Sequence, residues 1–458
     1  MALSSASDNV PVAPTLTREE LVTPFVKAEK PATEWRIGAE AEKFGVEAAT
    51  GAPLQYDGPH GVLRVLDALV ERHGWVAQAE VPGGPLIALR RENASVTLEP
   101  GGQVELSGAP QPNIHKICAE MHGHLHELRE ISSEMNLQWL SLGFHPLARQ
   151  EELPWVPKRR YGIMKRYLPT QGDGALDMMR RTATVQANFD YSDAEDALVK
   201  LRVCLQAAPL VNAMTANSPF KEGQLSDWRS TRGEVWTRMD PSRSGLIPKL
   251  WTQDTLSYED YIEWALDAGM FLFRRGEQVI ANTGQSFRSF LNDGYQGHHA
   301  TLEDWVLHLS TLFPEARLKS TLEVRCCDAL PAELTCSVPA LFTGLLYDAK
   351  ALAQATTFFS SFSYEQVAEA RDNLVRAGLR ATIAGKPARE LAEQLLEIAE
   401  GGLERRARLN AKQQDERLHL SRIKALVATG ECPADRLVDG LEPGDSDLER
   451  EILARARI

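Results

Sequence analysis

The chain lacks the motifs that identify several common classes of enzyme. It contains no GxxxxGKS or GxxxxGKT phosphate loop, no GxGxxG dinucleotide fingerprint and no HExxH zinc motif. These absences exclude nucleotide binding through a glycine-rich loop. A nucleotide substrate would have to be held by metal ions and basic side chains instead.

Cysteine is scarce and is not arranged in CxxC pairs, which argues against zinc ribbons and thioredoxin-like redox motifs. Six cysteines in 458 residues do not suggest a secreted disulfide scaffold, so we expect a cytosolic location. The six are Cys118, Cys204, Cys326, Cys327, Cys336 and Cys432.

Positive charge and long apolar runs are also in short supply. The net charge of −13 argues against non-specific binding of nucleic acid, which requires cationic surface. No apolar run reaches the roughly 18 residues of a membrane span. Residues 1–16 resemble neither a signal peptide nor a folded segment, and they are predicted to form a disordered tail. We therefore expect small-molecule partners, and a monomer or a homodimer.

The length exceeds that of one compact core, which favours more than one structural part. We predict a catalytic α+β domain over residues 17–345 and a helical part over residues 346–458 packed on it. Helices are predicted over residues 17–30, 58–74 and 113–136. A further helix should begin at the capping box of Ser363 and Gln366. Another should begin after Pro387 and end near Gly401-Gly402. His122 and His126 could bind a metal ion, although a place on the polar helix face is favoured.

Four strand-like segments combine an apolar face with a polar face rich in carboxylates or amides. The stretch RIGAEAEKFGVE at 36–47 places Glu40 and Glu42 on the same face, because side chains alternate along a strand. The other segments are 95–108, which we interpret as two short strands around a Pro-Gly-Gly turn, 182–191 and 318–325. Their polar residues include Glu99, Glu105, Gln186, Asn188, Glu323 and Arg325. If the segments join one antiparallel sheet, these polar faces converge.

Convergent carboxylates repel one another by about 4 kcal/mol for each pair ~4 Å apart at an effective dielectric constant near 20. Two arrangements relieve that repulsion. The face is open to water, as is usual for one side of an antiparallel sheet, or divalent cations lie between the carboxylates. Oxygen ligands of this kind favour Mg²⁺ or Mn²⁺ over zinc.

At these motifs the sequence resembles the plant and proteobacterial type of glutamate–cysteine ligase. The resemblance extends from about residue 34 to about residue 439. It is carried by RIGAEAEKFGV, VTLEPGGQVELSGAP, MKRYLP, LDMMRRTATVQANFDY, ANSPFKEG, RGEVW, ALFTGLLYD and ATGECPADRLV. It implies a glutamine-synthetase-like fold, in which a curved antiparallel sheet forms a funnel surrounded by helices. It also implies ATP- and Mg²⁺-dependent joining of the glutamate γ-carboxylate to the amino group of cysteine through a γ-glutamyl phosphate.

The resemblance assigns roles to individual residues. Arg325 and Glu323 are the expected catalytic residues. The expected substrate-binding residues are Arg232, Arg243, Trp236 and Asn188, and the expected metal ligands are Glu40, Glu42, Glu99, Glu105, Gln186 and Glu323. A ligase of the same fold with another amine acceptor is the alternative function, since the metal and phosphate residues would be the same.

The sequence also departs from the plant pattern. Ala41 replaces the histidine that many plant relatives carry between the paired glutamates, and Asn282 stands where one regulatory disulfide would need a cysteine. Cys118 and Cys336 match the other regulatory pair, so the resemblance implies a disulfide between them. Two buried free thiols are the alternative.

Overall fold

A computed structural model describes residues 16–253 and 255–458 of the chain. The predicted tail lies outside the described residues except for Leu16, which is buried and donates its backbone N–H to the carbonyl of Ala300. The strands are β1 (Ile37–Glu47), β2 (Val76–Ala79), β3 (Leu86–Arg91), β4 (Ala94–Leu98), β5 (Val104–Ser107), β6 (Leu137–Leu140), β7 (Val185–Phe189), β8 (Phe220–Lys221), β9 (Gln224–Leu225), β10 (Ser244–Gly245), β11 (Leu272–Arg275), β12 (Gln278–Ala281), β13 (Phe313–Pro314), β14 (Ala316–Leu318), β15 (Leu322–Val324), β16 (Thr382–Ile383) and β17 (Lys386–Pro387).

The α-helices are α1 (Thr23–Val26), α2 (Val62–His73), α3 (Ile114–Met135), α4 (Arg159–Tyr167), α5 (Ala175–Arg181), α6 (Ala194–Met214), α7 (Thr231–Thr237), α8 (Lys249–Thr252), α9 (Tyr258–Asp267), α10 (Phe287–Asp293), α11 (Leu302–Leu309), α12 (Ala332–Thr335), α13 (Ser337–Leu346), α14 (Ala349–Phe359), α15 (Tyr364–Ala377), α16 (Ala388–Arg406), α17 (Ser421–Thr429), α18 (Pro433–Val438) and α19 (Leu448–Ala456). Short 3-10 helices lie at Arg18–Val22, Ala32–Glu34, Gln150–Glu152, Leu168–Thr170, Gly378–Arg380 and Glu416–Leu420.

A nine-stranded sheet is the framework of the described chain. Its strand order is β14-β15-β7-β1-β5-β4-β3-β2, and β6 pairs with the far end of β1. Every pairing within it is antiparallel. The predicted α+β class with a large antiparallel sheet is therefore confirmed.

Strand β1 alternates as its sequence predicts. Ile37, Ala39 and Ala41 are at most 4% exposed and form its buried back, whereas Glu40 and Glu42 are half-buried on the opposite face. Helices α3 and α13 pack against β1, and α6 packs against β14 and β15. The apolar face of the sheet is therefore covered by helices, which leaves the glutamate face free to line a cavity.

Helix α6 is the one helix in the described ranges that is long and apolar enough to cross a membrane. Of its most apolar window, 89% is buried inside the protein. An apolar helix at the centre of a packed domain meets the same criteria of length and composition, so this one finding is weak evidence for a membrane span. The main hydrophobic core continues from Leu16 to Val427 and so crosses the predicted boundary at residues 345–346.

Several predicted helices form where their capping residues indicate. Asn113 accepts a hydrogen bond from the backbone of Lys116 at the start of α3, and Asn136 ends that helix in the left-handed conformation. Ser363 and Gln366 form the predicted capping box of α15. The helix expected over residues 17–30 is instead a 3-10 turn followed by the single turn of α1.

The segment 318–325 was predicted as one strand, and this prediction is wrong. The structure contains a tight hairpin in which β14 pairs with β15 and Lys319 donates its backbone N–H to the carbonyl of Thr321. Arg317 therefore lies directly opposite Glu323. Alternation alone did not show the turn, because the chain continues to alternate through it and has neither glycine nor proline there.

Helix α16 continues past Gly401-Gly402, where an end was predicted. Gly402 does not end the helix but allows α13 and α16 to cross closely. A Cβ atom on Gly402 would lie 1.9 Å from the carbonyl oxygen of Gly344. Gly402 is thus required by contact between two helix backbones. The nearest atom to a Cβ on Gly401 would be Nη1 of Arg405, at 3.2 Å, which is the end of a flexible side chain.

We therefore expect opposite effects from alanine at these adjacent glycines. Gly402→Ala should lower the free energy of unfolding by about 1–3 kcal/mol or more, because it overpacks the crossing. Gly401→Ala should leave stability unchanged or raise it by up to about 1 kcal/mol, since alanine favours helix. Urea unfolding of both variants measures this, and equal destabilisation would contradict the crossing as the reason for Gly402.

Cys118 of α3 and Cys336, between α12 and α13, are joined by a disulfide bond. It ties the helix behind β1 to the helix behind β7. The other four cysteines are free and buried: Cys204, Cys326, Cys327 and Cys432. Burial of the Cys204 thiolate raises the pKa of that thiol, as expected for an inert core cysteine.

Thiol titration tests this pairing. The protein unfolded without reductant should present four reactive thiols, and the same sample after reduction should present six. Six thiols before reduction would contradict the disulfide. A Cys204→Ser variant is the control, because it should lower both counts by one.

Candidate active site

The polar face of the sheet opens into a cavity of about 300 Å³. Two groups of opposite charge line it. The acidic group is Glu40, Glu42, Glu99, Glu105 and Glu323, and the basic group is Arg160, Arg232, Arg317, Lys319 and Arg325. The predicted residues Gln186 and Trp236 also line this cavity. The structure thus brings together most of the residues that the sequence assigned to one site.

Strand register explains how four carboxylates come to be neighbours. Glu42 lies directly opposite Glu105 across β1 and β5, and Glu40 lies opposite Gln186 across β1 and β7. Such a pair of like charges destabilises a sheet unless something else binds both. Each carboxylate is also oriented by a neighbour. Glu42 accepts from the backbone N–H of Thr184 at 3.1 Å, and Glu105 accepts from the hydroxyl of Thr97 at 2.8 Å.

Glu99 reaches the same cluster from the tight turn between β4 and β5. Its backbone N–H donates to the carbonyl of Gln103, and its carbonyl accepts from Gly102, whose φ of +81° favours glycine. Gly101 is required for another reason, since a Cβ there would lie 2.3 Å from the carbonyl oxygen of Arg180. The LEPGGQ motif therefore holds Glu99 in position.

The pKa values of two carboxyls show the burial and mutual repulsion of the charges in this cluster. Burial, followed by the negative charge of Glu99, raises the pKa of Glu42 to about 8. Burial, followed by the charges of Glu40 and Glu99, raises the pKa of Glu105 well above its usual value. Protons thus compete for the cluster at neutral pH. A divalent cation would satisfy the same oxygens, and the all-oxygen donor set fits Mg²⁺.

The opposite wall is organised around Glu323. Arg317 donates to both of its oxygens, at 2.7 and 2.9 Å, and Lys319 contacts it at 2.9 Å. Arg325 bonds to the same carboxylate and to Oε1 of Gln186 at 2.9 Å. Although burial opposes ionisation, these three cations hold the pKa of Glu323 well below its usual range. Glu323 therefore positions Arg325 beside the carboxylate cluster.

The expected role of Glu323 as a metal ligand remains a prediction. Both of its oxygens are occupied by protein cations in this structure, unlike those of Glu42 and Glu105. The same holds for Gln186, whose carbonyl oxygen accepts from Arg325.

Unpaired N–H groups mark the cationic side of the cavity. Nε of Arg232, Nε of Arg325, Nε of Arg160 and Nε1 of Trp236 are buried and have no hydrogen-bond partner. Buried donors without partners are costly in proteins and rare. All four belong to residues that line the cavity, and the positive charge of the three arginines there suits an anionic ligand. Arg232 and Trp236 are one turn apart on α7, and Arg232 also donates to the carbonyl of Arg325 at 2.7 Å.

Two residues assigned to substrate binding do not line the cavity. Arg243 is fully buried, and its donors bond to Asp240 and to the carbonyls of Thr311 and Gly269. It supports the segment that carries Thr311, which does line the cavity. Asn188 donates to Glu40 at 3.0 Å, so it orients a carboxylate of the cluster. Neither side chain lines the cavity in this structure, and the expected contact of each with substrate stays a prediction.

Arg160, Arg317 and Lys319 also line the site and were not predicted from the sequence. Arg317 lies just before segment 318–325, which was predicted as a single strand. Lys319 lies within that segment but was assigned no role. Arg160 had a weak signal, the basic run Lys158-Arg159-Arg160 next to an aromatic residue.

Comparison with known proteins agrees with this geometry. The model of glutamate–cysteine ligase family 2 matches residues 36–454. Glutamate–cysteine ligase B of Oryza sativa subsp. japonica is 39% identical over 93% of this chain and 84% of the rice protein. The Arabidopsis thaliana glutamate–cysteine ligase is 37% identical over 93% of this chain and 80% of its own length. The chain belongs to glutamate–cysteine ligase family 2, which confirms the predicted class of enzyme, a ligase joining glutamate and cysteine.

A solved structure supports the fold. Glutamate–cysteine ligase from Francisella tularensis, in complex with AMP, has a TM-score of 0.54 to this chain at 13% identity. The match covers 92% of this chain and 87% of that one. It confirms the predicted architecture of antiparallel sheet and surrounding helices.

The predicted cytosolic location is wrong by comparison with these relatives. The rice, Nicotiana tabacum and Arabidopsis enzymes are all chloroplastic. The prediction relied on cysteine usage, which reports on disulfide scaffolds and does not distinguish compartments. The disulfide between Cys118 and Cys336 shows that the inference was weak in this chain.

The role of Arg317 can be tested through stability. Arg317→Met should lower the free energy of unfolding by about 3 kcal/mol or more, because it leaves part of a buried charge unpaired. Adding Glu323→Gln should cost less than the two single changes summed, since the double variant removes both charges. Additive losses in denaturant unfolding would contradict the pairing. Arg166→Met is the control, because Arg166 is exposed on α4.

Proposed function

We propose that this chain makes γ-glutamylcysteine from glutamate, cysteine and ATP, with Mg²⁺ as the cofactor. The reaction would proceed through γ-glutamyl phosphate. The glutamate γ-carboxylate attacks the γ-phosphate of ATP and releases ADP, and the amine of cysteine then attacks the acyl carbon and releases phosphate. The observation that carries the proposal is the single cavity with a carboxylate cluster on one wall and unpaired cationic donors on the other.

The carboxylate cluster fits the metal part of this proposal. Glu40, Glu42, Glu99 and Glu105 would hold Mg²⁺, which when bound neutralises charge on phosphate oxygens during transfer. Thr184, Thr97 and Asn188 hold three of these carboxylates in place through hydrogen bonds. Such supporting contacts orient ligands before an ion arrives.

The cationic wall fits the phosphoryl and carboxylate groups. Arg325 is oriented by Glu323 and Gln186, and it lines the same cavity as the carboxylates. We assign it to the transferring phosphoryl group, since a guanidinium is a planar donor suited to phosphate. Arg232, together with Nε1 of Trp236, would bind a substrate carboxylate, because both lie on one face of α7 with unpaired donors.

Apolar side chains complete the cavity. Met164, Met178, Met179 and Phe313 line it next to the charged groups. Their place in the wall would limit access of water, which hydrolyses an acyl phosphate. They also present the soft, polarisable surface on which a thiol side chain packs well.

An amine-acceptor assay tests the function. ADP release with glutamate should be much faster with cysteine than with serine, alanine or 2-aminobutyrate, and it should require Mg²⁺. Equal turnover with unrelated amino acids would support the alternative of another acceptor. No ADP release with any amino acid would contradict the ligase activity.

The role of Glu42 can be tested by activity. Glu42→Gln should lower kcat by about 100-fold or more, because loss of a ligand costs at least as much as loss of its supporting contacts. Glu47→Gln is the matched control on the same strand, since Glu47 is exposed at the end of β1. Full activity of Glu42→Gln would rule out the metal assignment.

The pH dependence of Tm should report on the carboxyl of Glu42 and on Mg²⁺ binding to it. A carboxyl whose pKa rises from 4.5 unfolded to about 8 folded contributes stability at low pH. The unfolded carboxyl loses its proton near pH 4.5 and the folded one near pH 8, so that contribution is complete below about pH 4.5 and is lost by about pH 8. In EDTA, Tm should therefore drop between about pH 5 and about pH 8 relative to Glu42→Gln and change little above that. Mg²⁺ should raise Tm more at about pH 9, where protons no longer compete. A Mg²⁺ effect independent of pH would contradict this.

A further inference from the structure

Three metal-ligating side chains meet outside the cavity just described. The sulfur atoms of Cys118 and Cys336 and a ring nitrogen of His419 all lie within 4.8 Å of one another. His419 is on the 3-10 helix Glu416–Leu420, so the group joins three separate parts of the chain. None of the three residues lines the ligase cavity.

A chain of hydrogen bonds determines which nitrogen of His419 carries its proton. The carbonyl of Arg408 can only accept, so Nε2 of His115, 3.1 Å away, must donate to it. Nδ1 of His115 is then the acceptor for the Nε2–H of His419, at 3.0 Å. With its proton on Nε2, the imidazole of His419 has its lone pair on Nδ1.

That lone pair points at sulfur. Nδ1 of His419 lies 3.4 Å from Sγ of Cys118. A disulfide sulfur has no proton to donate, so the contact is not a hydrogen bond in the oxidised protein. Around a tetrahedral zinc ion a thiolate sulfur and an imidazole nitrogen lie about 3.6 Å apart. The observed distance between Nδ1 and Sγ of Cys118 is close to this value. The two sulfur atoms are bonded to each other in this structure and can take the zinc arrangement only after reduction.

The imidazole is held where it is by buried contacts. Glu416, on the same 3-10 helix, is fully buried and accepts the backbone N–H of Ile114 at 2.7 Å, at the start of α3. It also accepts from Nε of Arg406. These bonds fix His419 against the helix that carries Cys118. The ring itself is oriented by the bond from Nε2 to His115, and a hydrogen bond from the nitrogen away from the metal is typical of metal-binding histidines.

We propose that the reduced protein binds one Zn²⁺ ion through Cys118, Cys336 and His419, with water at the fourth position. A dithiol reductant first breaks the Sγ–Sγ bond: it supplies two electrons and two protons and becomes a disulfide itself. Zn²⁺ then displaces the proton of each thiol, so two protons are released on binding. The oxidised protein has no thiolate there and does not bind. This site is independent of the ligase chemistry.

Cobalt substitution tests the site directly. The full-length protein is reduced, freed of the small reductant, and titrated with Co²⁺ and then with Zn²⁺. We expect thiolate-to-cobalt charge-transfer absorption and tetrahedral d–d bands that saturate at one equivalent and vanish when Zn²⁺ is added. Carboxylates of the ligase cavity cannot produce the thiolate band. Its absence from reduced protein, or its presence in oxidised protein, would overturn the proposal.

Variants identify the ligands. His419→Ala should lower the Zn²⁺ affinity by about 10-fold or more, and His115→Ala should lower it by about 10–100-fold through the lost hydrogen bond. His126→Ala is the matched control, since His126 is an exposed histidine of the same helix, α3. Cys326→Ser should keep the band. An unchanged affinity in His419→Ala, or a lost band in Cys326→Ser, would contradict the assignment.

Discussion

The pairing of Glu42 with Glu105 across β1 and β5 is the constraint on which the site depends. The backbone register places two like charges opposite each other, and Glu40 and Glu99 add two more from the same strand and from the adjoining turn. Pairs at this range cost several kcal/mol each unless they are protonated or share a cation. The fold accepts this cost because the other face of β1 is fully buried against α3 and α13. A one-residue shift of register would bury the glutamates and expose that core.

The second wall complements the first. Glu323 neutralises part of the charge of Arg317, Lys319 and Arg325, so these cations do not collapse onto the neighbouring carboxylates. Arg325 is the link between the walls, since it bonds both to Glu323 and to Gln186, which lies opposite Glu40. The cavity therefore holds five acidic and five basic side chains, in which Glu323 is paired with the cations and the other four carboxylates form the opposite wall. Substrates with phosphate and carboxylate groups suit such a cavity.

Much of this could be predicted from sequence, because strand alternation is a local property. The glutamate face of β1, the Pro-Gly-Gly turn that carries Glu99 and the capped helices α3 and α15 all depend on residues a few positions apart. What could not be predicted depends on distant contacts. Arg317 enters the site only through the hairpin. Arg243 was expected from its motif to bind substrate, but its donors bond to Asp240 and to two backbone carbonyls.

Glycine shows the same limit. Gly401-Gly402 was predicted to end a helix, yet Gly402 is needed where α16 crosses Gly344, more than fifty residues away in sequence. The family resemblance supplied what spacing could not, namely which carboxylates act together and the class of reaction. It did not show that Asn188 donates a hydrogen bond to Glu40, since that depends on the pairing of β1 with β7.

The most direct test of the central constraint is anomalous diffraction from crystals soaked in Mn²⁺, with a second data set from crystals of Glu42→Gln. We predict an anomalous peak in the cavity within coordination distance of Glu42 and Glu105, and its loss or marked weakening in the variant. A wild-type cavity without a peak, or a peak whose ligands exclude both glutamates, would contradict the proposal that a divalent cation holds the paired carboxylates together.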